Sequence, residues 1–200
     1  MPHQKKAELI EGVVYAGSPV SSKDHGVPHS KLSTWLGYYA AMTAGIECAD
    51  NSTVRLDWDN EPQPDLFLRI IPGRGGQSRD EGRYVAGSPE LCCEIAASSA
   101  AYDLHDKKEA FRRSGVREYL VWRTLERVID WFVLRGGAYE RQTPTEGVVR
   151  SEVFPGLWLD VDALLNDDVR RVLELLGEGL ESDEHRAFRQ ALVEAGSKTE

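Results

Sequence analysis

Apolar and polar positions alternate along this chain in two different rhythms. Residues 8–15 (Glu-Leu-Ile-Glu-Gly-Val-Val-Tyr) predict a strand with a turn or bulge at Gly12. A polar loop over 17–26 follows, and then a helix from about His29 to Ala44. Leu32, Leu36, Tyr39 and Thr43 recur there at helical spacing, and Gly45 stops it. Residues 52–58 alternate as a half-buried strand does. Past the turn Asp59-Asn60-Glu61-Pro62, residues 64–71 read as a second strand. The glycine-rich stretch 72–82 reads as a flexible loop. The mostly apolar run 90–96 reads as a buried central strand that contains one acid, Glu94.

Ala97-Ser98-Ser99-Ala100-Ala101 reads as a linker to a helix over 103–114, ended by Gly115. Residues 118–122 and 128–134 predict two strands joined by a short turn. Gly136-Gly137 leads into a shorter hairpin-like stretch through Tyr139 to Val149, and 154–159 closes the sheet region. Beyond Val161 the rhythm becomes helical: Val169, Val172, Leu173, Leu176 and Leu180 form one amphipathic stripe, and Phe188 and Leu192 lie on a second helix at 183–194. The order predicts an α/β fold, a mixed β-sheet core flanked by helices with a C-terminal helical tail. It divides into a domain over 1–165 and an acidic helical extension over 166–200, packed on the core or on a partner.

Length and composition narrow this picture. Two hundred residues with 41 % hydrophobic and 28 % charged positions suit one globular domain. No run approaches the roughly 18 apolar residues of a membrane span, and the N-terminus lacks the apolar core of a signal peptide. The expectation is therefore a cytoplasmic protein with no membrane partner. Cys48, Cys92 and Cys93 are odd in number, and neighbours in a strand point to opposite faces, so they read as reduced and at least partly buried. A net charge of −9 argues against a constitutive grip on nucleic acid. It does not exclude an active site whose carboxylates are offset by a divalent cation.

The chemistry points to Asp65 and Glu94. Pro64-Asp65 opens one strand and Glu94 sits within the next core strand, where a carboxylate is costly unless paired or bound to metal. Two such acids can converge on a hard cation, which would activate a water and stabilise charge on a phosphate. Lys107 or Lys108, on the following helix, could lean toward them. Each residue also has a plain structural reading. Asp65 could simply start a strand, Glu94 could pair with an arginine, and Lys107 could be a solvated partner of Asp103. His29 could be a structural histidine, and Glu8 a strand-edge acid. Trp122, Trp131 and Trp158 read as core or interface residues.

Glu8-Leu-Ile-Glu-Gly12, His29, Pro64-Asp65, Glu94 and the Asp103…Lys107…Gly115-Val116-Arg117-Glu118-Tyr119 run together resemble the Uma-two family, restriction-endonuclease-like proteins of the PD-(D/E)XK nuclease superfamily. The resemblance covers about residues 6–165. It implies a restriction-endonuclease-like core that uses Mg²⁺ (or Mn²⁺) to hydrolyse DNA phosphodiester bonds, with transient DNA binding and a homodimeric assembly. Asp65 and Glu94 would be the metal-binding catalytic acids, Lys107 the catalytic lysine, and Glu8 and His29 accessory. The superfamily lysine two residues after the second acid is replaced by Ala96, and the linker lacks the family's Ser-Pro-Ser. The alternative is a catalytically degenerate nuclease fold acting as a binding or regulatory homodimer.

Overall fold

The structure, a computed structural model, describes residues 7–17, 21–97 and 102–197. In chain order the strands and helices are β1 (Ala7–Ile10), β2 (Val13–Ala16), α1 (Val27–Met42), β3 (Ile46–Asp50), β4 (Val54–Arg55), β5 (Leu66–Ile70), β6 (Arg79–Glu81), β7 (Tyr84–Ala86) and β8 (Leu91–Ala96). Then come α2 (Lys108–Ser114), β9 (Glu118–Arg123), β10 (Val128–Arg135), β11 (Ala138–Arg141), β12 (Val148–Arg150), β13 (Trp158–Asp160), α3 (Val161–Leu165), α4 (Val169–Leu180) and α5 (Asp183–Gly196). Two π-helical turns, Ser22–Gly26 and Asp103–Lys107, lead directly into α1 and α2.

A six-stranded mixed sheet in the order β11-β10-β9-β8-β5-β3 forms the frame. Only β8 and β9 run parallel, joined by the crossover through α2; the other neighbours are antiparallel. Strands β5 and β8 are buried along their whole length, which is why their sequences are nearly continuous apolar runs. One sheet face carries Leu66, Leu68, Leu91, Cys93, Ile95 and Leu120 and is covered by α1 and the C-terminal helices. The other carries Phe67, Cys92, Ala96, Tyr119, Val121 and Phe132 beneath Phe111 of α2. Cys92 and Cys93 thus fall on opposite faces, and all three cysteines are free.

Several segments differ from the sequence expectation. The first strand is a hairpin, because Glu11 and Gly12 both adopt positive φ (53° and 72°), the two-residue turn that matches strand twist. The predicted strand over 52–58 shrinks to Val54–Arg55, and β3, which the pattern did not announce, takes the place at the sheet edge beside β5. The glycine-rich stretch holds a 3₁₀ turn (Pro72–Arg74) and β6. Strands β12 and β13 pair with each other outside the main sheet. The linker residues Ser98, Ser99, Ala100 and Ala101, part of the 17–26 loop (18–20) and the first six residues lie outside the described residues. Among the described residues no helix is long and apolar enough to cross a membrane.

The C-terminal helices pack on the core. Val172, Leu176, Leu180 and Leu192 belong to the same apolar cluster as Leu36, Leu66 and Leu120. The approach of α4 is close: a Cβ on Gly179 would stand 2.2 Å from the Gly156 carbonyl oxygen.

Candidate active site

The first strands of chemical interest meet at one end of the sheet. Strands β5 and β8 pair with Leu66 opposite Cys93 and Phe67 opposite Cys92. One further step of that register sets Asp65 abreast of Glu94, on the sheet face shared by Phe67, Cys92 and Ala96, where directly opposed side chains lie about 5 Å apart at Cβ. Both carboxylates are buried, Asp65 at 4 % exposure and Glu94 at 3 %. Lys107 reaches the same place from the π-helical turn ahead of α2, itself only 3 % exposed. Its ammonium lies 2.7 Å from Glu94 Oε1, 2.9 Å from Glu8 Oε1 and 3.9 Å from Asp103 Oδ1. The lysine is therefore not the solvated partner of Asp103 that the i,i+4 spacing also allowed. Lys108, the next residue, turns away and sits 3.6 Å over the Phe132 ring. Successive helical residues diverge by about 100°, so only one of the two can enter the site.

Glu8 is held by β1 and also accepts a hydrogen bond from the Gln63 backbone N–H at 2.6 Å, which ties the N-terminal hairpin to the segment before Asp65. His29 faces the Asp65 backbone carbonyl at 3.1 Å and Asp50 Oδ1 at 3.2 Å, so it touches the chain at Asp65 and not its carboxylate. The histidine at the carboxylate is His25, with Nε2 3.1 Å from Asp65 Oδ2, its ring stacked 5.8 Å from that of His29. The same Asp65 oxygen accepts the Ile95 backbone N–H at 2.8 Å. His25, Asp103 and Tyr102, whose ring lies 5.7 Å from the Lys107 ammonium, were not among the sequence candidates for the site. The i,i+4 spacing of His25 and His29 ahead of the helix was the available signal for the first. The two π-helical turns carry His25, Asp103 and Lys107, in keeping with the frequent use of such turns at functional sites.

The electrostatics follow from crowding. Burial pushes the Asp65 carboxyl up, but hydrogen bonds from His25 and Ile95 and the charges of His25 and Lys107 outweigh it and hold the group below the usual carboxylate range. Burial dominates at Glu94 and drives its pKa upward against the pull of Lys107, with Asp65, Asp103 and Glu8 adding to the rise. Burial alone would lower Lys107, yet Glu94, Glu8 and Asp103 hold it well above its ordinary value. The rises at Glu94 and Lys107 agree in sense: three carboxylates around one ammonium, with Asp65 close by, favour the binding of further positive charge.

Among the described residues no group of three or more His, Cys, Asp and Glu is placed to hold a metal ion. The donor set does not suit a structural zinc site, which takes four protein ligands. It does fit a hard cation of the Mg²⁺ kind, bound through one or two carboxylates with water and substrate oxygens completing the shell. Glu94 Oε1 is buried without an aligned hydrogen bond, and its contact with Lys107 is an ion pair. A cleft of about 820 Å³ elsewhere, between Asp57–Asn60 and the end of α2, is lined by none of Asp65, Glu94 and Lys107.

A mixed sheet with a helix crossover after the acid-bearing strand, and a second acid just ahead of the neighbouring strand, places the molecule in the restriction-endonuclease-like fold class. The chain belongs to the Uma2 family, whose model, described as "Putative restriction endonuclease", matches residues 1–162. Its fold is similar to that of a crystal structure described as a putative nuclease belonging to DUF820 from Anabaena variabilis ATCC 29413, at a TM-score of 0.57 and 15 % identity, covering 80 % of this chain and 89 % of that one. No curated protein matches the chain.

Proposed function

We propose that this nuclease-family protein is a Mg²⁺-dependent endodeoxyribonuclease, cytoplasmic and homodimeric, that engages DNA transiently and hydrolyses phosphodiester bonds at the Asp65–Glu94–Lys107 cluster. The observation that carries this reading is the gathering of the Glu94, Glu8 and Asp103 carboxylates about the single ammonium of Lys107, with Asp65 abreast of Glu94. Asp65 and Glu94 would hold the divalent cation, Mg²⁺ or Mn²⁺, which when bound supplies Lewis-acid stabilisation of charge on the phosphate. His25 and the Ile95 N–H fix the Asp65 carboxylate in its ionised, ligating form. Lys107, anchored between Glu94 and Glu8, presents a fixed positive charge where the phosphoryl oxygens gain negative charge in the transition state. Burial of the cluster strengthens each of these interactions. Glu8 and His29 support the site from outside it, Glu8 by holding Lys107 and His29 by holding the backbone at Asp65.

Purified protein with Mg²⁺ or Mn²⁺ is expected to nick supercoiled plasmid, and Asp65→Ala to abolish nicking; equal cutting by the variant rejects the assignment. A second reading, a degenerate nuclease scaffold with a binding or regulatory role, is favoured by one observation: Asp65 Oδ2 and Glu94 Oε1 are already engaged by His25, Ile95 and Lys107. Calorimetric titration with Mn²⁺ separates the two, because the degenerate scaffold gives no heat that depends on Asp65. Light scattering tests the assembly, the dimer giving twice the 22.3 kDa of one chain.

A further inference from the structure

The sheet face that carries the carboxylate cluster continues past it into a group of cations. In register, Glu94 lies beside Val121, and Val121 beside Asp130, so the three share one cross-strand row and one face. With neighbouring strands about 4.8 Å apart, Asp130 stands on the order of 10 Å from Glu94. Arg123 lies two residues along β9 from Val121, on the same face, and Arg141 on β11 is opposite Phe132, which shares that face. Asp130 is buried, and it organises the cations: Arg123 Nε donates to its Oδ2 at 2.7 Å, and Arg141 Nε lies 2.8 Å from its Oδ1. Arg123 is further paired with Glu126.

Two of the three cations have charge to offer. Among the described residues Arg141 makes one ion pair, through Nε, and its side chain is 55 % exposed. Its two terminal nitrogens are the pair that forks onto a phosphate. Lys108 makes no ion pair among the described residues and rests on the Phe132 ring. A chain of net charge −9 otherwise repels a polyanion, so cations with donors still free on the active-site face, gathered about the one carboxylate of Asp130, mark where one can be received.

We propose that Lys108 and Arg141, with Arg141 oriented by Asp130, form a subsite for a DNA backbone phosphate flanking the scissile one. The inference rests on the nuclease reading for the identity of its ligand. Phosphate contacts of this kind position the duplex without reading its sequence. Arg123, held by two carboxylates, braces Asp130.

The test is fluorescence anisotropy of the full chain with a short labelled DNA duplex in Ca²⁺ across a range of salt. Lys108→Gln/Arg141→Gln is compared with wild type and with Arg170→Gln, a remote cation on α4 whose side chain is 88 % exposed. The double variant is expected to bind about tenfold more weakly, with the slope of log K against log salt shallower by about 2. Arg170→Gln is expected to match wild type, and Arg141→Lys in the Lys108→Gln background to recover part of the loss. Equal affinity and slope in the double variant overturn the subsite, as does a wild type that binds no DNA. Plasmid nicking in Mg²⁺ is scored separately. Loss of nicking with binding that depends on the two cations counts against the catalytic reading alone. Nicking with binding that ignores them counts against the subsite alone.

Discussion

Lys107 decides more about this site than any other side chain, and its effect is measurable without a substrate. Removing a buried ammonium leaves carboxylates uncompensated, a loss of about 3–5 kcal/mol for a broken buried pair. Lys107→Met is therefore expected to lower the urea midpoint markedly at neutral pH, and millimolar Mg²⁺ to restore part of the loss. A variant as stable as wild type would show that the charge is not needed there. His25 and His29 separate by the same logic: His25→Ala removes a partner of the Asp65 carboxylate and should weaken Mn²⁺ binding in titration more than His29→Ala does. On the opposite face, Glu118 is fully buried, accepting hydrogen bonds from the Ser151 hydroxyl at 2.6 Å and the Glu152 N–H at 2.7 Å. Burial lifts its pKa to about 7 despite those bonds, with the nearby charge of Glu152, itself paired with Arg135, adding to the rise. A folded-state pKa above the unfolded one means that the folded protein holds the proton more tightly. The contribution is thus complete below the unfolded value and is lost as pH rises through about 7. The loss is about 3 kcal/mol between pH 4 and pH 8. Glu118→Gln cannot ionise, so its unfolding free energy should decline less from pH 5 to pH 8 than that of wild type; parallel declines would refute the shift.

At the scale of elements, the C-terminal helices act as part of the core. Their apolar stripe was plain in the sequence, but whether it served this chain or a partner was not. The structure seats Val172, Leu176 and Leu180 against the sheet's apolar cluster and brings Gly179 against Gly156 with no room for a side chain. Gly179→Ala is expected to cost about 1–3 kcal/mol, since the backbone must move apart, with the change read from thermal unfolding. An unchanged melting temperature would mean that α4 is loosely docked. The N-terminal hairpin behaves similarly. Its existence turns on Glu11 and Gly12 at positive φ, and its place on Glu8, which meets both Lys107 and Gln63.

At the scale of the whole molecule, an acidic chain with a cationic strip beside a carboxylate cluster should bind DNA weakly without divalent ions and better with them. Anisotropy in EDTA and in Ca²⁺ measures this, and equal affinity in the two would remove the cation from the binding account. The alternation of apolar and polar positions was enough to determine the strands β5, β8, β9 and β10, the helices α1, α4 and α5, and the oddity of acids in apolar surroundings at Asp65 and Glu94. Those are local properties, written in spacing and composition. It could not determine that β3 pairs at the sheet edge, that only Val54–Arg55 of 52–58 is strand, that His25 and not His29 meets the Asp65 carboxylate, or that Lys107 rather than Lys108 enters the cluster. Each of these depends on register between distant strands and on the rotation of a helix over the sheet. Tertiary packing fixes those quantities, and no window of sequence contains them.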